Sequence, residues 1–145
     1  MDRLYGKRGP IEAALREKER TLFSLRESIL LYDLTSTYFE GLCLSNAKAK
    51  RGYSRDSRPD CKQVVVGLVL DADGFPKAHE IFAGNRSDST TVADMLGVLE
   101  KRLGKKKDAT VIVDRGVANE ENLATIRKAG YHWLVAARHR ASPLF

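Results

Sequence analysis

Cysteine, proline, histidine and tryptophan are all scarce in this chain of 145 residues, and each scarcity removes a class of protein. Two cysteines, Cys43 and Cys61, fit neither a disulfide framework nor a paired zinc motif, and neither has a histidine neighbour that would mark a nucleophile. His79, His132 and His139 are scattered, so an imidazole-rich metal centre is not encoded. No apolar run approaches the roughly 20 residues of a membrane helix, and "MDRLYGKRGP" at the start lacks the apolar region of a secretory signal. There is no G-x-x-x-x-G-K phosphate loop, no internal repeat and no low-complexity tract. A protein of the reducing cytoplasm with no membrane association is expected. Carboxylates are also missing from Arg127 onward, which leaves the end of the chain wholly basic.

The residues that are present form one globular domain's worth of core, with 43% hydrophobic and 30% charged side chains. The net charge of +6 is concentrated. Residues 45–62, "SNAKAKRGYSRDSRPDCK", hold six Lys and Arg against two Asp, and residues 101–108, "KRLGKKKD", hold five against one. Basic strips of this kind follow a polyanion or solvate a surface, and nucleic acid is the partner they suit.

Apolar spacing at three, four and seven over Ile11, Ala14, Leu15, Leu22 and Leu25 predicts an amphipathic helix from Ile11 to about Ser28, with Pro10 in its first turn. "LLYDLTSTYFEG" (30–41) and "QVVVGLVLD" (63–71) read as strands, and "ADGF" predicts a tight hairpin into "PKAHEIFAG". A helix from about 88 to 103 follows, with Val92, Met95, Leu96, Leu99 and Leu103 as its apolar stripe and Gly104 and lysines at its end. "ATVIVDRG" (109–116) is the fourth strand, a helix runs from about Asn119 to Gly130, and "YHWLVAARH" is the fifth strand. Trp133 within it is assigned to the core, while Tyr53 is open to either base stacking or the core. Three meandering strands followed by two joined through helices make a mixed α/β sheet of order 3-2-1-4-5 with flanking helices. Right-handed crossover sets the fourth strand parallel to the first, so Asp33 and Asp114, far apart in sequence, become neighbours.

Asp33 interrupts a strand that should bury apolar side chains, and Asp114 ends another. A carboxylate desolvated in a sheet is costly unless a cation, a metal or dense hydrogen bonding compensates it. Two together without His or Cys suit Mg²⁺, a hard ion that keeps several waters and takes oxygen ligands. Phosphate oxygens would complete such a shell, which points to cleavage of a phosphodiester. The structural alternatives are hydrogen bonds from Thr35, Ser36 or Thr37 to Asp33, and for Asp114 the turn amides after "VIVD" or a pair with Arg115.

Three stretches, "YDLTSTYFEG", "GYSRDSRPDCKQVVVGLVLDADGFPKAHEIFAGNRSDSTT" and "VIVDRGVANEENL", together resemble the DDE transposases of bacterial insertion sequences, whose catalytic core has the ribonuclease H-like fold. The resemblance runs from about Leu30 to Arg138. Apolar spacing marks off an N-terminal helical segment at 1–28, and the resemblance implies a partial ribonuclease H-like core at 29–145. It also implies that Asp33 and Asp114 are the first two members of an acidic triad, both catalytic and both metal ligands, with Mg²⁺ or in its place Mn²⁺. The implied reaction is DNA cleavage at transposon ends followed by transfer of the freed 3′ hydroxyl to target DNA, by a full-length protein that works as a homodimer. Arg51, Arg55, Arg58 and Arg115 would contact phosphate.

The third acid of that pattern, a Glu on a later helix, has no counterpart. After Asp114 only Glu120 and Glu121 carry carboxylates, and a place in a helix first turn explains both. The expectation is a C-terminally incomplete fragment of the core, inactive alone. Two rivals compete with it: a remnant that binds DNA or a transposase without chemistry, and a small-molecule phosphatase. The second is weakened because "YDLT" lacks the second Asp of a D-x-D motif and no Gly-rich phosphate loop is present. "DADG" lacks the twelfth-position Glu of a calcium loop and reads as a hairpin turn.

Overall fold

In a computed structural model that describes residues 2–23, 28–104 and 108–136, the strand carrying Asp33 is the centre of a five-stranded sheet. This strand, β1 (Ile29–Phe39), pairs antiparallel with β2 (Lys62–Asp71), which pairs antiparallel with β3 (Pro76–Ala83). On its other side β1 pairs parallel with β4 (Thr110–Asp114), and β4 pairs parallel with β5 (His132–Ala136), giving the order β3-β2-β1-β4-β5. The expected topology and its crossover are therefore those of the molecule.

Helices cover one face. Val92, Met95, Leu96 and Leu99 of α3 (Val92–Leu103) and Ile126 of α4 (Glu120–Lys128) close a single core with Leu30, Tyr32 and Leu34 of β1, Val65 and Val69 of β2, Ala78 and Phe82 of β3, and Val111 and Val113 of β4. The α3 stripe is the predicted one, and Met95 is core filler. A 3₁₀ turn (Asp88–Thr90) leads into α3, and fully buried Thr91 at its start accepts from the Tyr32 hydroxyl at 2.7 Å. Gly104 ends α3 with φ +72, as a helix-terminating glycine does, and Lys105 to Lys107 lie outside the described residues.

The β2–β3 hairpin is longer than a two-residue turn. Asp71 and Phe75 flank a three-residue loop in which Gly74 takes φ +86, a conformation costly for any side chain with a Cβ. Asp71 accepts the amides of Asp73 and Phe75 through Oδ1 and pairs with Lys77 at 3.0 Å through Oδ2.

The N-terminal helices are α1 (Asp2–Tyr5) and α2 (Arg8–Phe23). Here the expectation needs correcting, because Ile11 and Leu15 of the presumed apolar stripe are 42% and 61% exposed. Charge holds α2 instead: Glu19 meets buried Lys77 at 2.5 Å, Glu12 meets Arg102 of α3 at 3.0 Å, and Arg16 donates to the Arg102 carbonyl. Residues 24–27, where the helix was expected to continue, lie outside the described residues. Trp133 also departs from expectation, since at 36% exposure on the edge strand β5 it is not a core residue.

Candidate active site

β-strand alternation decides which way Asp33 points. Leu30, Tyr32 and Leu34 fill the core, so Leu31, Asp33 and Thr35 project from the opposite face, where all three are exposed. On β4, Val111 and Val113 are buried and Asp114 is exposed. The parallel register pairs Tyr32 with Val113, and the next residue along each strand is an aspartate. Both carboxylates thus leave the same face from adjacent strands about 5 Å apart. The premise that these groups are desolvated is corrected by their exposure: the sheet presents them to solvent because its helices lie on the other side.

The two aspartates are held differently. Among the described residues no hydrogen bond or ion pair reaches the Asp33 carboxylate, so Thr35, Ser36 and Thr37 do not satisfy it. Asp114 Oδ1 accepts from the Val117 amide at 3.0 Å, and the Asp114 carbonyl accepts the amides of Val117 and Ala118. One oxygen is therefore the turn acceptor anticipated from sequence, while a Cβ added at Gly116 would sit 3.3 Å from the other, Oδ2. The chain then turns into α4 with Asn119 as cap, its side chain accepting the Asn122 amide at 2.8 Å. Glu120 and Glu121 occupy the first turn, as the helix dipole favours.

Asn122 escaped the sequence reading. Largely buried, it donates through Nδ2 to the carbonyls of Ser89 and Val117, both at 2.7 Å, and so ties the approach to α3 to the Asp114 turn. No local signal marks the tie to Ser89, which lies 33 residues upstream.

The four arginines are not equivalent. Arg115 is exposed in the turn after Asp114. Arg51 donates to the Asp60 carbonyl, and Arg55 pairs with Asp88 at 2.5 Å. Arg58 grips Asp60 through both arms of its fork, reaches Glu40 at 3.2 Å and stacks 5.1 Å from the Tyr38 ring centroid. That fork holds the Asp60 carboxyl well below the usual carboxylate range. Tyr38 lies five residues beyond Asp33, roughly 17 Å of strand, so Arg58 clasps the loop to the far end of β1 rather than flanking the carboxylates. Cys61 beside it has its thiol pushed up, by burial first and then by Asp60, which suits an inert sulfur.

Both aspartates are hard oxygen donors, and Asp33 with one oxygen of Asp114 stays free of internal partners. This donor set fits an ion that takes one or two carboxylates and completes its shell with water and phosphate oxygens. Among the described residues no group of three or more His, Cys, Asp or Glu surrounds such a position.

A profile of the family described as "Transposase DDE domain" matches residues 24–144. The chain belongs to that family. DDE transposases depend on a divalent metal. Solved structures similar to this DDE domain include the Mos1 strand transfer complex, with 14% identity, a TM-score of 0.54, and 89% of this chain against 40% of that one. The Mos1 transposase paired-end complex with left transposon end gives 13%, 0.52, 85% and 39%, and the piggyBac transposase synaptic complex with hairpin DNA gives 11%, 0.52, 83% and 25%. At these identities the likeness establishes the shared ribonuclease H-like fold, and the DDE domain described here spans about two fifths of the Mos1 chain's length. No curated protein matches by sequence. Among the described residues no helix is long and apolar enough to cross a membrane.

Proposed function

We propose that this DDE domain is part of the catalytic core of a DNA transposase, in which Asp33 and Asp114 hold a divalent cation, Mg²⁺ or Mn²⁺, against a scissile phosphodiester. The observation that carries the reading is the β1–β4 register, which sets both carboxylates side by side on the uncovered face. When bound, the cation would neutralise charge at phosphorus and favour attack by water or by a 3′ hydroxyl. The chain's own part is positional. Asp33 offers an unengaged carboxylate, the Val117 amide orients Asp114, and Arg115 stands beside it to meet a phosphate. In this reading residues 1–28 are an N-terminal helical segment, residues 29–145 belong to the core, the partners are transposon ends and target DNA, and the working protein is a homodimer in the cytoplasm. Two carboxylates give a weak site, so the chain alone does not cut DNA.

Adding Mn²⁺ to isotopically labelled protein should broaden amide resonances around residues 33 and 114, and Asp33→Asn or Asp114→Asn should remove the effect. Broadening centred elsewhere would defeat the assignment. Supercoiled plasmid incubated with the chain and Mn²⁺ should stay intact, whereas nicking abolished by Asp114→Ala would overturn the inactivity. Salt-dependent DNA binding indifferent to metal and to Asp33→Asn would favour a non-catalytic binding module.

A further inference from the structure

The paired register of β1 and β4 ends at Tyr32 and Val113. Asp33 and Asp114 are the first residues beyond it, so no rung between these two strands sets the gap between the carboxylates. β1 continues along β2 as far as Phe39, while β4 stops at Asp114 and the chain turns toward α4. The gap is spanned beneath the sheet instead, by side chains.

Tyr32, next to Asp33, turns its ring into the core and is 4% exposed. Gly67 makes room for it: a Cβ there would fall 3.2 Å from the ring, 2.9 Å from Met95 and 3.0 Å from Phe82. The Tyr32 hydroxyl donates to Thr91 at 2.7 Å, and the fully buried Thr91 hydroxyl donates to the Asp88 carbonyl, also at 2.7 Å. Asp88 opens the 3₁₀ turn, and the next carbonyl along it, that of Ser89, accepts from Asn122 Nδ2. The same nitrogen donates to the Val117 carbonyl, and the Val117 amide donates to Asp114 Oδ1. Both Asn122 partners are acceptors, so the amide nitrogen and not the oxygen faces them. Arg86 stiffens the turn from outside, donating to the Thr90 hydroxyl at 2.7 Å and to its carbonyl at 2.6 Å. Polar contacts thus run from the residue before Asp33 to the carboxylate of Asp114, through the entry to α3 and the entry to α4.

Such a network is a poor source of stability. A buried hydrogen bond replaces one made with water and nets little, and apolar side chains of the same shape would serve the core as well. What partnered polar groups in a low-dielectric interior do supply is fixed geometry, because each broken contact strands a donor or acceptor away from water. Here that fixed geometry crosses the gap that the strand ladder leaves open.

We propose that Tyr32, Thr91 and Asn122 are positioning residues, which couple the β1 segment bearing Asp33 to the turn that aims Asp114 and so set the spacing of the two carboxylates. That this spacing serves a bound cation rests on the function proposed above, whereas the coupling itself does not.

The first test is metal-free. In EDTA, the amide resonances of Ser89, Asn122 and Val117 are followed in the isotopically labelled chain. Thr91→Val, which keeps the shape and removes the hydroxyl, should displace all three, and Thr91→Ser, which keeps the hydroxyl, should leave Asn122 and Val117 at their wild-type positions. Chemical shifts belong to the folded state, so a loss of stability alone would not move them. Should Thr91→Val fail to fold, Tyr32→Phe removes the donor alone and is followed by the same resonances. Displacement confined to residues beside the substitution would overturn the coupling, as would equal displacement by Thr91→Ser. The second test titrates Mn²⁺. Thr91→Val and Asn122→Ala should each weaken its binding about tenfold, as loss of a group that orients a ligand does, and the double variant should bind no more weakly than the worse single one. Additive losses would mean that the two residues act separately and would overturn the proposal. If Mn²⁺ does not bind at residues 33 and 114 while Val117 responds to Thr91→Val, the metal site falls and the coupling stands. Mn²⁺ bound there with Val117 indifferent sinks the coupling alone.

Discussion

On one face of the sheet Leu30, Tyr32, Val69, Val111 and Val113 are each 4% exposed or less; one residue further along the same strands, Leu31 is 38% exposed and Asp33 and Asp114 face solvent. Alternation sets the two sides, but what covers them differs. Helices α3 and α4 seal the first with an apolar layer, while among the described residues the core cluster contributes nothing to the second. Ionic groups are tolerated where water reaches them, so the sheet's chemistry is confined to the face that its packing leaves free. The exception is the end of the hairpin, where Asp71 and Lys77 are buried as a pair with Glu19. Burial works against charging Lys77, yet Glu19 and Asp71 outweigh it and its pKa stands above the ordinary lysine value.

The contrast can be broken first in the core. Leu99→Ala should cost about 2–5 kcal/mol in urea unfolding, since it empties a site that is 1% exposed. Lys77→Ala comes next, at about 2–4 kcal/mol, because it strands two carboxylates, one fully buried. The same change should loosen α2, visible as faster amide exchange there, and protection of α2 equal to wild type would contradict the ionic docking.

Alkaline pH sharpens the comparison with a smaller effect. Burial raises the Tyr32 hydroxyl from 10.0 to about 12. The folded state therefore holds its proton longer than the unfolded chain, so stability is complete below pH 10 and falls as pH rises from 10 toward 12. Tyr32→Phe should flatten that segment of a Tm-against-pH curve. His79 acts at the other end: burial first, then Arg8 and Arg102, lower its pKa from 6.5. Neutral imidazole is favoured in the fold, so stability is complete above pH 6.5 and declines below it, a decline that His79→Gln should reduce. Smallest of all, Leu134→Ser on the open face, at 56% exposure, should change stability by no more than about 0.5 kcal/mol. A loss near that of Leu99→Ala would mean that the second face is covered after all.

Much of this architecture is legible in the sequence because it is local. Short apolar runs rich in β-branched residues mark the strands, the Val92–Leu103 stripe marks α3, Gly74 marks the hairpin, and Asn119 marks the start of α4. The errors share a cause as well. The α2 stripe and Trp133 look apolar enough to be buried, but burial depends on a partner surface, and the neighbours of α2 offer charges while those of Trp133 stop at a sheet edge. Asn122 was invisible because its meaning lies in Ser89, a residue of a separate segment.

By itself the sequence determined the order of elements, the parallel crossover that makes Asp33 and Asp114 neighbours, and the membership of the transposase family. Only the tertiary structure decided that the pair is exposed rather than buried, and that Arg58 is spent on Asp60. Local patterns report which residues share a strand face. Which face is covered, and which charges find partners, depends on segments far apart in the chain and is settled only when they pack.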